Sequence, residues 1–128
     1  MRNCSVVDIF CGVGALTHGF ITADFDVVAG IDADDSCRYA YEANNPGAQF
    51  IHKRVEYITT DEIESLYPKG HIKVLVGCAP CQPYSSYTKR VEDKDKKWKL
   101  LPRFAEIICE IKPEIVSMEN VPDLATYN

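Results

Sequence analysis

Apolar residues fall along this chain in short runs that alternate with helical spacings. Cys4 to Phe10 is nearly continuous in apolar residues, as a strand covered on both faces requires, and it leads into a glycine-containing turn. Leu16 to Ala23 suits a helix. Asp26 to Ile31 reads as a second strand, and Asp34 to Asn44 as a second helix, stopped by Asn45-Pro46-Gly47. Gln49 to Lys53 predicts a third strand. Thr59 followed by Glu62 is a capping-box signal that opens a short helix ending near Pro68 and Gly70. Ile72 to Cys78 is a fourth strand, and a polar loop from Ala79 to Lys97 follows. A helix from Leu100 to Ile111 is broken by Pro113, and Glu114 to Met118 reads as a fifth strand.

Strands alternating with helices predict an α/β fold: an open, mostly parallel sheet with helices on both faces. Right-handed crossovers put the first strand near the centre and give the order 3-2-1-4-5. The length of 128 residues is that of one domain, and there is no internal repeat. The chain stops soon after its fifth strand, so the far edge of the sheet is expected to be unfinished. An open edge implies a partner or a further C-terminal part.

Composition refines this picture. Hydrophobic residues make up 46% of the chain, enough for a core. No apolar run approaches the roughly 18 residues of a membrane span, and no secretory signal opens the chain. Six cysteines (Cys4, Cys11, Cys37, Cys78, Cys81 and Cys109) lie in a domain large enough to fold without staples. They point to reduced thiols in a cytoplasm rather than to a disulfide framework. The net charge of −5 opposes a polyanionic partner, yet Lys89 to Arg103 carries seven basic residues against three acidic ones. That segment is either a solvated loop or a surface that grips phosphates.

Ligands in such a sheet bind outside the C-terminal strand ends. There the first strand ends in Asp8-Ile9-Phe10-Cys11-Gly12-Val13-Gly14, whose glycines allow a tight turn and close approach to a ligand. The third glycine of a dinucleotide fingerprint would fall at position 17, which is Thr17, so that fingerprint fails. Asp32 ends the second strand about twenty residues later, placed for ribose hydroxyls. Asp34 and Asp35 open the next helix. The crevice suits an adenosine-type cofactor without a diphosphate, which by itself identifies no reaction.

The fourth strand runs into Gly77-Cys78-Ala79-Pro80-Cys81-Gln82-Pro83, and Glu119 follows the fifth strand directly. If those strands are neighbours, a thiol and a carboxylate face one pocket. Cys78 and Cys81 also form a C-x-x-C, the spacing of redox pairs and half zinc sites. The three histidines show no metal spacing, and Pro83 with a polar loop follows where a redox pair would open a helix.

In order along the chain, Asp8-x-Phe10-x-Gly12-x-Gly14, Asp32 with Tyr41-Glu42-Ala43-Asn44, Pro80-Cys81-Gln82, and Glu119-Asn120-Val121 resemble the motifs of the cytosine-5 DNA methyltransferases. The resemblance covers the whole chain and implies a Rossmann-like fold that binds S-adenosylmethionine and yields S-adenosylhomocysteine. It implies cofactor contacts from Phe10, Gly12, Gly14, Ala15, Leu16, Asp32 and Ala33, from Val55 on the third strand, and from Pro80 and Leu100. Cys81 would be the nucleophile and Glu119 the acid. Pro80, Gln82, Ser85, Asn120, Lys89 and Arg90 would meet substrate. The thiolate would add to C6 of a cytosine flipped out of duplex DNA, making C5 nucleophilic, while Glu119 hydrogen-bonds or protonates N3. No metal and no membrane enter this chemistry.

Two departures stand out. Arg54 occupies the place of an acid that reads the adenine amino group, and Ala33 that of a stacking aromatic. The family's later Gln-x-Arg-x-Arg stretch and target-recognition domain are missing. Residues 1–128 thus read as a partial catalytic domain: a fragment, or one subunit of a split enzyme, with little activity alone. A C-terminal half or second subunit would carry recognition. The implied setting is bacterial restriction-modification, cytoplasmic and nucleoid-associated in use. The alternatives are a relative that methylates cytosine in transfer RNA and a non-catalytic cofactor-binding subunit.

Overall fold

The computed structural model describes residues 3–80 and 99–126. Five parallel strands, β1 (Cys4–Ile9), β2 (Asp26–Asp32), β3 (Gln49–His52), β4 (Ile72–Gly77) and β5 (Ile115–Met118), form one sheet of order β3-β2-β1-β4-β5. Among the described residues the α-helices are α1 (Ala15–Thr22), α2 (Arg38–Asn44), α3 (Thr60–Glu64) and α4 (Leu100–Ile111). The order and the class are those the alternation predicts.

β1 explains why its sequence reads as nearly continuous in apolar residues. All six of its residues are buried, and successive side chains alternate between faces. Val7 and Ile9 join Ile31, Leu75 and the α4 residues Phe104, Ile107 and Ile111 in one core. Cys4 and Val6 join Val27, Tyr41, Phe50, Val74 and Val76 in the other. A strand covered on both sides has no polar face to display.

Element boundaries fall within a residue or two of expectation except at the second helix and at the end of the third, which stops at Glu64 rather than near Pro68 and Gly70. Asp35–Cys37 is a 3-10 turn, and the α-helix starts only at Arg38. The Asp34 carboxylate accepts from both the backbone N–H (3.0 Å) and the hydroxyl (2.7 Å) of Ser36, which tightens this first turn. The capping box at α3 forms as its sequence predicts: Glu62 N–H donates to the Thr59 hydroxyl, and Thr59 N–H to the Glu62 carboxylate.

At the other end, among the described residues β5 pairs only with β4, and Ile115, Val116 and Met118 are each more than 40% exposed. Among the described residues no helix is long and apolar enough to cross a membrane. Cys4, Cys11, Cys37, Cys78 and Cys109 carry reduced thiols.

Candidate active site

After Ile9 the chain turns through three residues of positive φ: Phe10 (63°), Gly12 (51°) and Gly14 (87°). A phenylalanine in this region is strained by about 1 kcal/mol or more, so its surroundings must hold it. The N–H groups of Phe10 and Cys11 both donate to the Ile31 carbonyl, at 2.9 and 3.2 Å, and Gly14 N–H donates to the Cys11 carbonyl at 2.8 Å. The Phe10 ring packs edge-on against Phe104, centroids 6.2 Å apart.

Asp32 is tied into the same turn. One carboxylate oxygen accepts from Gly12 N–H at 2.8 Å and the other from Asp34 N–H at 2.9 Å. A carboxylate has about four lone-pair sites, so two remain for hydroxyl donors. Beside it, a Cβ added at Gly12 would meet nothing within 4 Å. An oriented carboxylate next to open backbone suits the ribose and amino acid ends of an adenosyl cofactor.

The other expected cofactor residues sort unequally. Ala15, which opens α1, and Ala33, just after β2, are exposed. Phe10 and Leu16 are half-buried and pack their side chains into the two cores, leaving their backbone to the crevice. Leu100 opens α4 and is half-buried, as is Pro80. An open cavity of about 330 Å³ adjoins the turn, lined by Val13, Gly14, Ala15, His18 and Asn44. It lies toward α1 and α2, and Asp32 does not line it.

Val55 requires a correction. It was expected on the third strand, but β3 ends at His52 and the chain turns at Arg54–Tyr57. Val55 is 3% exposed, among Ile58, Ile63 and Tyr67. Arg103 on α4 donates to the carbonyls of Val55 (3.4 Å) and Ile58 (2.9 Å), pulling this turn under the helix. Arg103 therefore belongs to the fold's own polar contacts, although its sequence position counts it with the basic segment. Arg54 pairs with Glu56 at 2.6 Å.

Beneath the turn lies a residue for which the sequence suggested a motif but no role. Asp8 is fully buried on β1, on the side of Tyr41. Thr17 of α1 donates to its Oδ2 at 2.7 Å, and Oδ1 has no hydrogen-bond partner among the described residues. Burial pushes the Asp8 carboxyl up to about 6, against the Thr17 hydrogen bonds, which lower it. An acid raised in the folded state favours the fold most below its unfolded value, and that contribution is lost as pH rises through 6. The stability of the chain relative to Asp8→Asn is thus expected to fall by about 1–2 kcal/mol between about pH 5 and pH 7.5. Urea denaturation at several pH values checks this, and a pH-independent difference would refute it.

A second group of residues gathers at the ends of β4 and β5. Glu119 N–H donates to the Gly77 carbonyl at 3.2 Å, carrying the pairing past Met118. The exposed Glu119 carboxylate accepts from the Cys78 thiol, Sγ to Oε2 2.8 Å. Asn120 was expected on substrate, but its amide is engaged locally. It donates to the Ala79 carbonyl at 3.1 Å and accepts from Val121 N–H at 2.8 Å, bracing the two strand ends. Glu119 and Asn120 therefore adjoin Cys78–Pro80, the segment that leads into position 81. Cys81, Gln82, Ser85, Lys89 and Arg90 lie outside the described residues. Among the described residues no three His, Cys, Asp or Glu side chains converge to hold a metal.

A parallel 3-2-1-4-5 sheet with a glycine turn after β1 and an acid at the end of β2 defines the Rossmann-like methyltransferase class. The family model described as C-5 cytosine-specific DNA methylase matches residues 4–128, and the chain belongs to that family. It is 52% identical over 124 residues to the type II methylase M.HgiDII of Herpetosiphon aurantiacus, covering 97% of this chain and 34% of that protein. It is 35% identical over 120 residues to the type II methyltransferase M.XorII of Xanthomonas oryzae pv. oryzae, covering 92% and 28%. Among solved structures it superimposes with a TM-score of 0.78 on a protein described as a DNA modification methyltransferase encoded within an E. coli prophage. That match has 25% identity over 94% of this chain and 33% of that one. The chain thus spans about a third of the length of these relatives.

Proposed function

We propose that this chain is the cofactor-binding and catalytic part of a DNA (cytosine-5-)-methyltransferase of a restriction-modification system. The observation that carries the reading is the junction of β4 and β5, where the Glu119 carboxylate stands against the residues that introduce Cys81. The glycine turn and Asp32 lie at the same sheet edge. The family's description as a DNA methylase favours DNA over transfer RNA as substrate.

S-adenosylmethionine supplies an electrophilic methyl group when bound. Asp32 would hold its ribose hydroxyls, the backbone of Phe10 to Gly14 its amino acid end, and Ala33 would flank its adenine. Cys81 as a thiolate adds to C6 of a flipped cytosine, which moves electron density onto C5. Glu119 hydrogen-bonds or protonates N3, so that charge developing on the ring is neutralised. Gln82 and Ser85 contact the base or its backbone, and Lys89 and Arg90 contact phosphates. Asn120 acts by bracing the strand ends. Target recognition comes from a C-terminal half or second subunit, consistent with the net charge of −5 and with the exposed β5.

The test is covalent trapping. Duplex DNA carrying 5-fluorocytosine in the target site, with S-adenosylmethionine and the recognition half supplied, is expected to give a denaturation-resistant adduct. Fluorine at C5 prevents the elimination that releases the thiol. Cys81→Ser is expected to give none, and an adduct that persists in this variant would remove Cys81 from its role.

A further inference from the structure

We infer that Tyr41 is a positioning residue for the glycine turn. Its ring is packed into the space that two glycines leave, and its hydroxyl is linked through Thr17 to Asp8. The inference rests on the reading of that turn as the cofactor's seat.

Three observations meet at this side chain. Tyr41 on α2 is fully buried. A Cβ at Gly14 would come within 2.7 Å of its Cδ2, and one at Gly30 within 2.5 Å of its Cζ and hydroxyl. The ring therefore touches both the turn and the middle of β2, where even a methyl group has no room. Its hydroxyl lies 3.2 Å from Thr17 Oγ1, and Thr17 lies 2.7 Å from Asp8. Thr17 has one hydroxyl proton, and the shorter contact to the carboxylate takes it, so Tyr41 donates to Thr17. The chain Tyr41–Thr17–Asp8 then joins α2, α1 and β1, three elements that flank the turn. Asn45, one turn further along, donates to the carbonyls of Tyr41 (2.9 Å) and Gly14 (3.4 Å), fastening the same assembly to the turn itself.

This accounts for position 17. A dinucleotide fold places glycine there so that helix and strand approach closely. Here a hydroxyl-bearing side chain fits at that position and is fully buried, linking the helix to the strand.

Tyr41→Phe keeps the ring and deletes the link. Its comparator is Ile63→Val, a conservative core change on α3 in the opposite core. Calorimetry with S-adenosylhomocysteine and amide hydrogen exchange are measured on both variants and on the unmodified chain. Tyr41→Phe is expected to weaken binding about tenfold and to speed exchange at the Gly12 and Gly14 amides severalfold. Ile63→Val, with a similar shift in denaturation midpoint, is expected to change neither by more than about twofold. If the two variants behave alike in both measurements, Tyr41 is ordinary core and the inference fails. If the unmodified chain binds no S-adenosylhomocysteine but Tyr41→Phe still loosens Gly12 and Gly14, the cofactor reading fails and the positioning role stands.

Discussion

Glu119→Gln is expected to reduce methyl transfer to cytosine by about a hundred- to ten-thousandfold, the usual span for losing a general acid. Binding of S-adenosylhomocysteine should change by less than about twofold, because the loss falls on the transition state alone. Glutamine has the shape of glutamate, and its carbonyl can still accept from the Cys78 thiol. It cannot pass a proton to N3 of the base. Glu119 is exposed, and its recorded partners are Gly77 and Cys78, so the fold does not depend on its charge. Single-turnover transfer by the assembled enzyme, with cofactor affinity measured in parallel, separates the two effects. A variant that keeps its rate to within about threefold would show that Glu119 is not the acid.

The second large effect is structural. Gly14→Ala is expected to destabilise the chain by roughly 3 kcal/mol, from backbone strain together with overpacking. The residue has φ +87°, and the added Cβ would lie 2.4 Å from Asn45 Nδ2 and 2.7 Å from Tyr41 Cδ2. Both neighbours are fully buried, so neither can swing away. Gly47 provides the control: its φ is +94°, but a Cβ there meets nothing within 4 Å. Gly47→Ala should therefore show the strain alone, about 1 kcal/mol. Equal midpoint shifts for the two variants in chemical denaturation would mean that the contacts with Tyr41 and Asn45 carry no weight.

Much of the fold was legible in the sequence because its strands and helices are separately encoded. The apolar run at β1, the Asn45-Pro46-Gly47 stop and the Thr59–Glu62 box are local signals, and each appears where it was expected. The ordered motifs placed the glycine turn, Asp32 and Glu119 at one sheet edge. What the sequence hid are contacts between distant residues. Nothing local marks Asp8 as a buried acid held by Thr17, or Cys78 as the thiol that meets Glu119. The position of Val55 was misread because the resemblance put it on the third strand, although the strand read from the residues already ended at Lys53. The turn at Arg54–Tyr57 and the grip of Arg103 decide its place. A threonine where a glycine fingerprint fails was a usable hint of the Asp8 contact. Asn120, expected on substrate, has backbone partners at the ends of β4 and β5 that its place in the sequence does not reveal.

The strained Phe10 bears on the order of folding. A left-handed phenylalanine is tolerable only once its ring has a berth, and Phe104 supplies that berth from α4, far along the sequence. As the polypeptide leaves the ribosome, this bend must wait for α4, which follows β1 to β4 along the chain, to dock. The turn after β1 thus takes its final shape only after the four strands that precede α4 have been made.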